Sequence, residues 1–222
     1  MTREELLVDL AARILALPES APTTVAVDGM SGAGKTTLAA DLAAILTGAD
    51  RQVVVVALDD FHHARERRNR RGRLSAEGYL EDAFDVDALR SHVLDPLAGA
   101  GDACEVREVR PAAYDLAADE PVEAEAVPVG PGTVVIVEGS FLLSEAVAER
   151  WDLAVLVVAD PAVVLDRALV RDVDLGTPDQ VRELYVRRYF AAWALHEERH
   201  DPWSRADVVV DLTDPEAPRL LS

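Results

Sequence analysis

"DGMSGAGKTT", residues 28–37, holds the only lysine of a chain that otherwise takes its positive charge from twenty-one arginines. Gly29, Gly34, Lys35 and Thr36 fit the spacing G-x-x-x-x-G-K-[ST], the P-loop pattern, in which glycines permit unusual dihedrals and backbone N–H groups wrap a phosphate. A strand-like run, "TTVAVD" (23–28), precedes it and a helical pattern over 35–47 follows, which places the loop at a helix N-terminus. A glycine-rich helix cap without a ligand would not need strand, lysine and hydroxyl together. A compact ammonium on a flexible stem bridges β- and γ-phosphates where a planar guanidinium would demand bidentate geometry, which accounts for Lys35. Thr36 offers a hydroxyl to Mg²⁺. The expected nucleotide site is the stretch Gly29, Ser31, Gly32, Ala33, Gly34, Lys35, Thr36 and Thr37.

Working outward, "VVVVAL" (53–58), "TVVIVE" (133–138), "LAVLVV" (153–158) and "DVVVD" (207–211) are further β-branched runs without strict alternation, the pattern of strands covered on both faces. Helical patterns over 86–97, 161–171 and 179–198 lie between or after them, and Leu6, Leu7, Leu10, Ile14 and Leu15 mark an entry helix that Pro18 stops. The alternation predicts an α/β fold: a doubly wound, parallel five-stranded sheet of the P-loop NTPase type. Residues 1–222 are read as a single domain. Three segments stand out from the alternation: a basic run at 65–74, an acidic, Gly- and Pro-rich insertion at 99–132 with a hairpin expected around "CEVREV" and "EAEAVPV", and a lid-like helical region at 161–188.

Half of the residues are apolar and the formal net charge is −19, which favours a self-contained core and argues against general nucleic-acid or membrane-surface binding. The single cysteine, Cys104, cannot form an internal disulfide, and the charged N-terminus does not read as a secretory signal, so a cytoplasmic location is expected. No apolar run approaches the roughly 20 residues a spanning helix needs. The expected partner is a small-molecule acceptor, and self-association is compatible with the sequence.

Ligands of open α/β sheets sit outside the carboxyl ends of the strands. Asp59 and Asp60 follow the second apolar run and Glu138 ends the third. Glu138 suits Mg²⁺ binding together with Thr36, and Asp59 suits acceptance of a proton from an attacking hydroxyl, with a further place among the metal candidates. Adjacent residues leaving a strand point to opposite sides, so Asp59 rather than Asp60 is expected to face the phosphates. Arg65, Arg67, Arg68, Arg70, Arg71 and Arg73 read either as a solvated loop or as an anion-gathering flap over the acceptor site, selecting a phosphorylated or acidic substrate. No aromatic residues interleave with the run, which speaks against nucleic acid. His196 and His200 stand four apart, a spacing that suits a metal, but lack the H-E-x-x-H order and read as charged surface. Trp151, Trp193 and Trp203 read as packing residues, as do Tyr185 and Tyr189.

"DGMSGAGKTT", "LDDFHH", "EDAFDVDALRSHVLDPL", "RPAAYDL", "VVIVEGSFLL", "RALVRDV" and "ADVVVD" occur in that order. The series resembles the P-loop small-molecule kinases typified by uridine kinase, with pantothenate kinase and phosphoribulokinase as relatives, over residues 23–212. The resemblance implies ATP- and Mg²⁺-dependent transfer of the γ-phosphoryl group to a hydroxyl, most simply that of a nucleoside such as uridine or cytidine. Pantothenate or a sugar phosphate is the alternative acceptor, and a nucleotide-binding regulatory ATPase without an acceptor is the reading from another class. By resemblance Asp59 is the catalytic base, Lys35 and Arg171 act on the phosphates, His62 lies at the acceptor side and Tyr114 lines the acceptor pocket. Three departures stand out: Asp119 stands where uridine kinases carry a pyrimidine-reading histidine, "EGYLE" replaces the ribose-binding stretch and leaves Asp82 or Glu81 as substitute, and Leu175 and Thr177 replace two lid arginines near Gly176. Arg167, Arg182 and Arg187 are the candidates to supply the missing lid charge.

Overall fold

The computed structural model describes residues 1–98 and 105–221. Each of the apolar runs becomes a strand. In chain order these are β1 (Thr23–Gly29), β2 (Val53–Ala57), β3 (Arg107–Val109), β4 (Tyr114–Asp115), β5 (Glu120–Pro121), β6 (Val127–Val129), β7 (Val134–Gly139), β8 (Leu153–Val158), β9 (Val208–Asp211) and β10 (Arg219–Leu220). The main sheet has the order β10-β9-β8-β1-β7-β2. All its pairings are parallel except that of β10, which runs antiparallel to β9. The sheet is therefore six-stranded rather than five-stranded: a two-residue edge strand adds itself after the parallel core is complete.

Every residue of β1 and β7 is buried. Successive strand side chains point to opposite faces, so helices must cover both sides of the sheet centre. The helix Arg3–Leu15 starts with a capping box, Thr2 accepting from Glu5 N while Glu5 accepts from Thr2 N, and buries Leu6, Leu7, Leu10 and Ile14. It packs on the helix Lys35–Gly48 that follows the loop. The helices Pro161–Arg171 and Pro178–Leu184 each carry proline at the first turn, where the missing N–H costs nothing.

The chain departs from uninterrupted α-helices in two places. Val86–Leu89 runs into a wide π-helical turn, Arg90–Leu94, before Asp95–Ala98, and Pro178–Leu184 runs through a second one, Tyr185–Phe190, into Ala191–His200. Such turns widen the hydrogen-bonding register and re-aim side chains. The insertion carries two small antiparallel pairs, β3 with β6 and β4 with β5; Cys104 and the start of the 99–132 segment lie outside the described residues. The basic run forms a short helix, Arg65–Arg68, and a second helix that the sequence reading did not anticipate, Ala76–Asp82, follows with Ser75 Oγ capping Gly78 N at 3.0 Å. His196 is fully buried against Phe141 and Trp193, not a surface residue as its charged neighbours suggested. Trp193 is buried and Trp151 partly so, its Nε1 donating to Leu142 O, while Trp203 is exposed.

Candidate active site

The parallel register brings the expected residues to one edge of the sheet. Val27 lies opposite Glu138 and Glu138 opposite Ala57, so the chain leaves β1, β7 and β2 side by side, with β1 between β7 and β8 at the topological switch. From β1 the loop turns back through Gly34, whose φ of +107° at the helix N-cap is left-handed space that glycine enters without penalty. Gly29 answers a different demand: a Cβ there would stand 2.2 Å from Val157 O on β8.

Lys35 is buried at the helix start, and its Nζ donates to Met30 O at 2.9 Å and to Ser140 Oγ at 3.4 Å. Burial pulls its ammonium below the usual lysine value, and the negative charges of Glu138, Asp28 and Asp59 offset part of that shift. Thr36 Oγ1 donates to Glu138 Oε1 at 2.9 Å. Burial raises the Glu138 carboxyl, while Lys35 and the Thr36 hydrogen bond hold it down. A hydroxyl and a carboxylate side by side are hard oxygen donors of the kind Mg²⁺ takes, since this ion accepts one or two protein ligands and completes its shell from phosphate and water. The residues present fit the ion. Among the described residues no group of three or more His, Cys, Asp or Glu gathers as a metal site, at His196 and His200 or elsewhere.

Asp59 and Asp60 leave β2 in a 3₁₀ turn, Leu58–Phe61, rather than in extended chain. Three residues per turn, not strict alternation, therefore separate the two acids. The Asp59 side chain is 71% exposed. Asp60 accepts the backbone N–H of Ala113 on its carbonyl, and burial, Asp59 and Asp115 raise its carboxyl. His62 closes the turn, its Nδ1 lying 2.8 Å from Asp59 O. A carbonyl only accepts, so this contact places the proton on Nδ1 and leaves Nε2 as an acceptor. Burial lowers the imidazole pKa, with Asp59 acting in the opposite sense, so the ring is neutral near pH 7.

Two cavities flank this centre. The first, about 360 Å³, is lined by Gly32, Ala33, Gly34 and Thr37 of the loop, by Arg171, and by Leu212 and Pro215 beyond β9. Arg171 is held in a bidentate pair with Asp172, at 2.6 and 3.0 Å, and also donates to Tyr185 Oη. Tyr185 in turn donates to Asp172 at 2.6 Å. Arg167 is occupied by Leu212 O and Thr213 O, and Arg187 by Glu183.

The second cavity, about 570 Å³, is bordered by His62 beside Asp59, by Tyr79 and Tyr189, and by Arg68, Arg73 and Arg188. Tyr114 and Asp119 stand behind it: Tyr114 Oη donates to Asp119 Oδ1 at 3.0 Å, and the same carboxylate accepts from Arg68 at 2.7 Å and from Arg65 N at 2.9 Å. Asp82 is buried and ion-paired to both Arg70 and Arg71. Both acids named for substrate contact are thus bound to arginines of the basic run, which folds onto the domain through them.

Several residues of the site escaped the sequence reading. Ser140 links Lys35 to the loop by donating to Gly29 O at 2.9 Å. Asp28 accepts from Gly29 N, Phe141 N and Leu143 N, with His196 Nε2 3.6 Å away. Tyr79 enters the second cavity from the helix Ala76–Asp82, and Arg188 from the π-helical turn Tyr185–Phe190. A strand-end aspartate before a glycine loop was the available cue for Asp28; no local cue marks the others.

A phosphate-binding loop at the switch point of a parallel sheet, with a Thr–Glu oxygen pair and a second strand-end acid, defines a nucleotide-binding domain of the P-loop kinase class. The chain belongs to the phosphoribulokinase / uridine kinase family, whose sequence model matches residues 24–189. Among solved structures it is similar to a possible uridine kinase from Bacillus stearothermophilus, with a TM-score of 0.71 and 23% identity over 93% of this chain and 97% of that one. A candidate fructose transport system kinase from Silicibacter sp. TM1040 gives 0.67 and 24% over 90% and 96%. D-glycerate 3-kinase from Cryptococcus neoformans gives 0.56 and 14% over 97% and 96%. At these identities the likeness is one of fold. No curated protein matches the sequence significantly. No helix among the described residues is long and apolar enough to cross a membrane.

Proposed function

We propose that the chain is an ATP- and Mg²⁺-dependent kinase that transfers the γ-phosphoryl group to a hydroxyl of a small molecule. The observation that carries this reading is the meeting of Lys35, the Thr36–Glu138 pair and Asp59 at the adjoining ends of β1, β7 and β2, with one cavity on either side. The donor occupies the loop cavity, its phosphates cradled by backbone N–H groups and the helix N-terminus. Lys35 exchanges its bond to Met30 O for the β- and γ-phosphates, which is favourable for a buried ammonium held by one neutral carbonyl and a long contact to Ser140. Mg²⁺, when bound by Thr36 and Glu138, neutralises charge on the phosphate oxygens.

On the other side Asp59 receives the proton of the acceptor hydroxyl at its carboxylate, and its exposure leaves it open to a ligand in the second cavity. Arg171, fixed by Asp172 and Tyr185, supports charge on the transferring group. The motif order favours a nucleoside as acceptor. The arginine-lined second cavity favours another class, such as a sugar phosphate or a hydroxy acid.

ADP release measured across nucleosides, vitamins, hydroxy acids and sugar phosphates tests the proposal. A kinase shows sharp stimulation by one acceptor class, abolished in Asp59→Asn while ADP binding persists. Slow hydrolysis indifferent to every acceptor would instead identify a regulatory ATPase.

A further inference from the structure

The geometry points to an anionic acceptor: we propose that the second cavity recognises a carboxylate or phosphate group on the hydroxyl-bearing substrate, with Arg188 as the specificity-determining residue and Arg68 and Arg73 beside it. The fate of the hydroxyl rests on the kinase reading above; the anion site does not.

Arg188 is 7% exposed, yet its partners are neutral. Its Nη1 donates to Asn69 Oδ1 at 3.2 Å and to Arg73 O, and its guanidinium carbon lies 5.1 Å from the centre of the Tyr79 ring. Among the described residues no carboxylate stands within ion-pair distance of it. A guanidinium taken out of water without a counter-charge is an expensive arrangement, relieved by a ligand that brings the charge. Burial depresses its pKa and the nearby Arg68 and Arg73 act in the same direction, while Tyr189 and Tyr79 act against them.

The neighbouring arginines are only partly balanced. Arg68 pairs with Asp119 through Nη2, but its Nε is buried without a hydrogen-bond partner. Arg73 donates to the carbonyl of Leu175 and reaches no carboxylate among the described residues. Asp174 is the one acid among the residues lining the cavity, against Arg65, Arg68, Arg73 and Arg188. In a chain of net charge −19 a local excess of cations is not an accident of composition. A neutral nucleoside supplies nothing to balance it. A carboxylate or phosphate offers paired oxygens to the planar fork of arginine.

The position suits the chemistry. His62 borders the cavity and contacts Asp59, so an anion held at Arg188 leaves the rest of a small molecule on the side of the acid that receives the proton. The cavity shares no lining residue with the loop cavity that takes the nucleotide, so the donor phosphates do not explain the arginines.

Calorimetric titration of the full chain, with and without Mg²⁺ and ADP, tests this with matched probes: glycerol, D-glycerate and glycerol 3-phosphate; ribose and ribose 5-phosphate; uridine; and inorganic phosphate. The expected result is that anionic probes bind at least tenfold more tightly than their neutral counterparts, more weakly as salt rises, and that Arg188→Gln removes at least tenfold of that affinity while the ADP affinity stays unchanged. The carboxylate and phosphate members of the first set distinguish the two anion classes. Arg73→Gln, an exposed position, gives a smaller loss of the same sign and serves if Arg188→Gln does not fold. Equal or tighter binding of the neutral probes, no binding of any anion, or loss of ADP affinity in place of anion affinity overturns the proposal. Anion binding without acceptor-stimulated ADP release leaves the anion site standing and sinks the kinase reading. Stimulation by a neutral acceptor without anion binding does the reverse.

Discussion

Thr36 and Glu138, 102 residues apart in sequence, share one hydrogen bond of 2.9 Å that ties the first turn of the loop helix to the end of β7. If this pair holds Mg²⁺, Thr36→Ala and Glu138→Gln each lower Mg²⁺-dependent turnover by roughly 10²–10³-fold, and Thr36→Ser, which keeps the hydroxyl, restores most of it. The check is turnover as a function of Mg²⁺ concentration. A mere structural tie would lower thermal stability in Thr36→Ala, spare Thr36→Ser, and leave the Mg²⁺ dependence of turnover unchanged in both.

Asp59 is exposed, and among the described residues its side chain makes no hydrogen bond that the fold requires. Asp59→Asn is therefore expected to fold with an unchanged melting temperature and to lose roughly 10²–10⁴-fold in kcat. Unaltered kcat with the stimulating acceptor would remove Asp59 from the proton transfer.

Two glycines separate close packing from loop entropy. Gly29→Ala drives a methyl to 2.2 Å from a β8 carbonyl and is expected to cost about 1–3 kcal/mol or prevent folding. Gly48, the last residue of the loop helix, has no atom within 4 Å of an added Cβ, and Gly48→Ala is expected to stabilise by about 0.5–1 kcal/mol. Denaturant melts of both variants read the contrast.

Asp82 gives the stability a pH dependence. Burial raises its carboxyl pKa, but the hydrogen bond and charge of Arg70, joined by Arg71, outweigh it and hold the group below the ordinary value. A depressed folded pKa contributes stability above the unfolded value, and that contribution disappears as pH falls through the folded value. Asp82→Asn should thus melt below the wild type at pH 7, and the gap should narrow below about pH 4. A gap independent of pH would assign the effect to packing.

The sheet and the loop were legible because their signals are local. Runs such as 134–137 are too β-branched and too evenly apolar for anything but a buried strand, and a lysine between glycines and a hydroxyl has few other uses. β10 was not legible, since two residues after a proline carry no period and pair only because β9 leaves an open edge. The helix Ala76–Asp82 was hidden by its brevity and by Gly78. Asp82 and Asp119 looked available for substrate because their arginine partners lie 11–12 and 51–54 residues away. Arg188 carried no signal of its own in the sequence; it lies buried within a π-helical turn that the sequence does not announce.

That turn has a consequence for how the two cavities speak to each other. Tyr185, which steadies Arg171 at the loop cavity, and Arg188, which borders the second cavity, sit three residues apart on the same widened coil. A small rotation of this one segment moves both anchors at once. Saturation by one substrate is therefore expected to alter the apparent KM for the other, and kinetics read in two dimensions will show lines that intersect away from the axis.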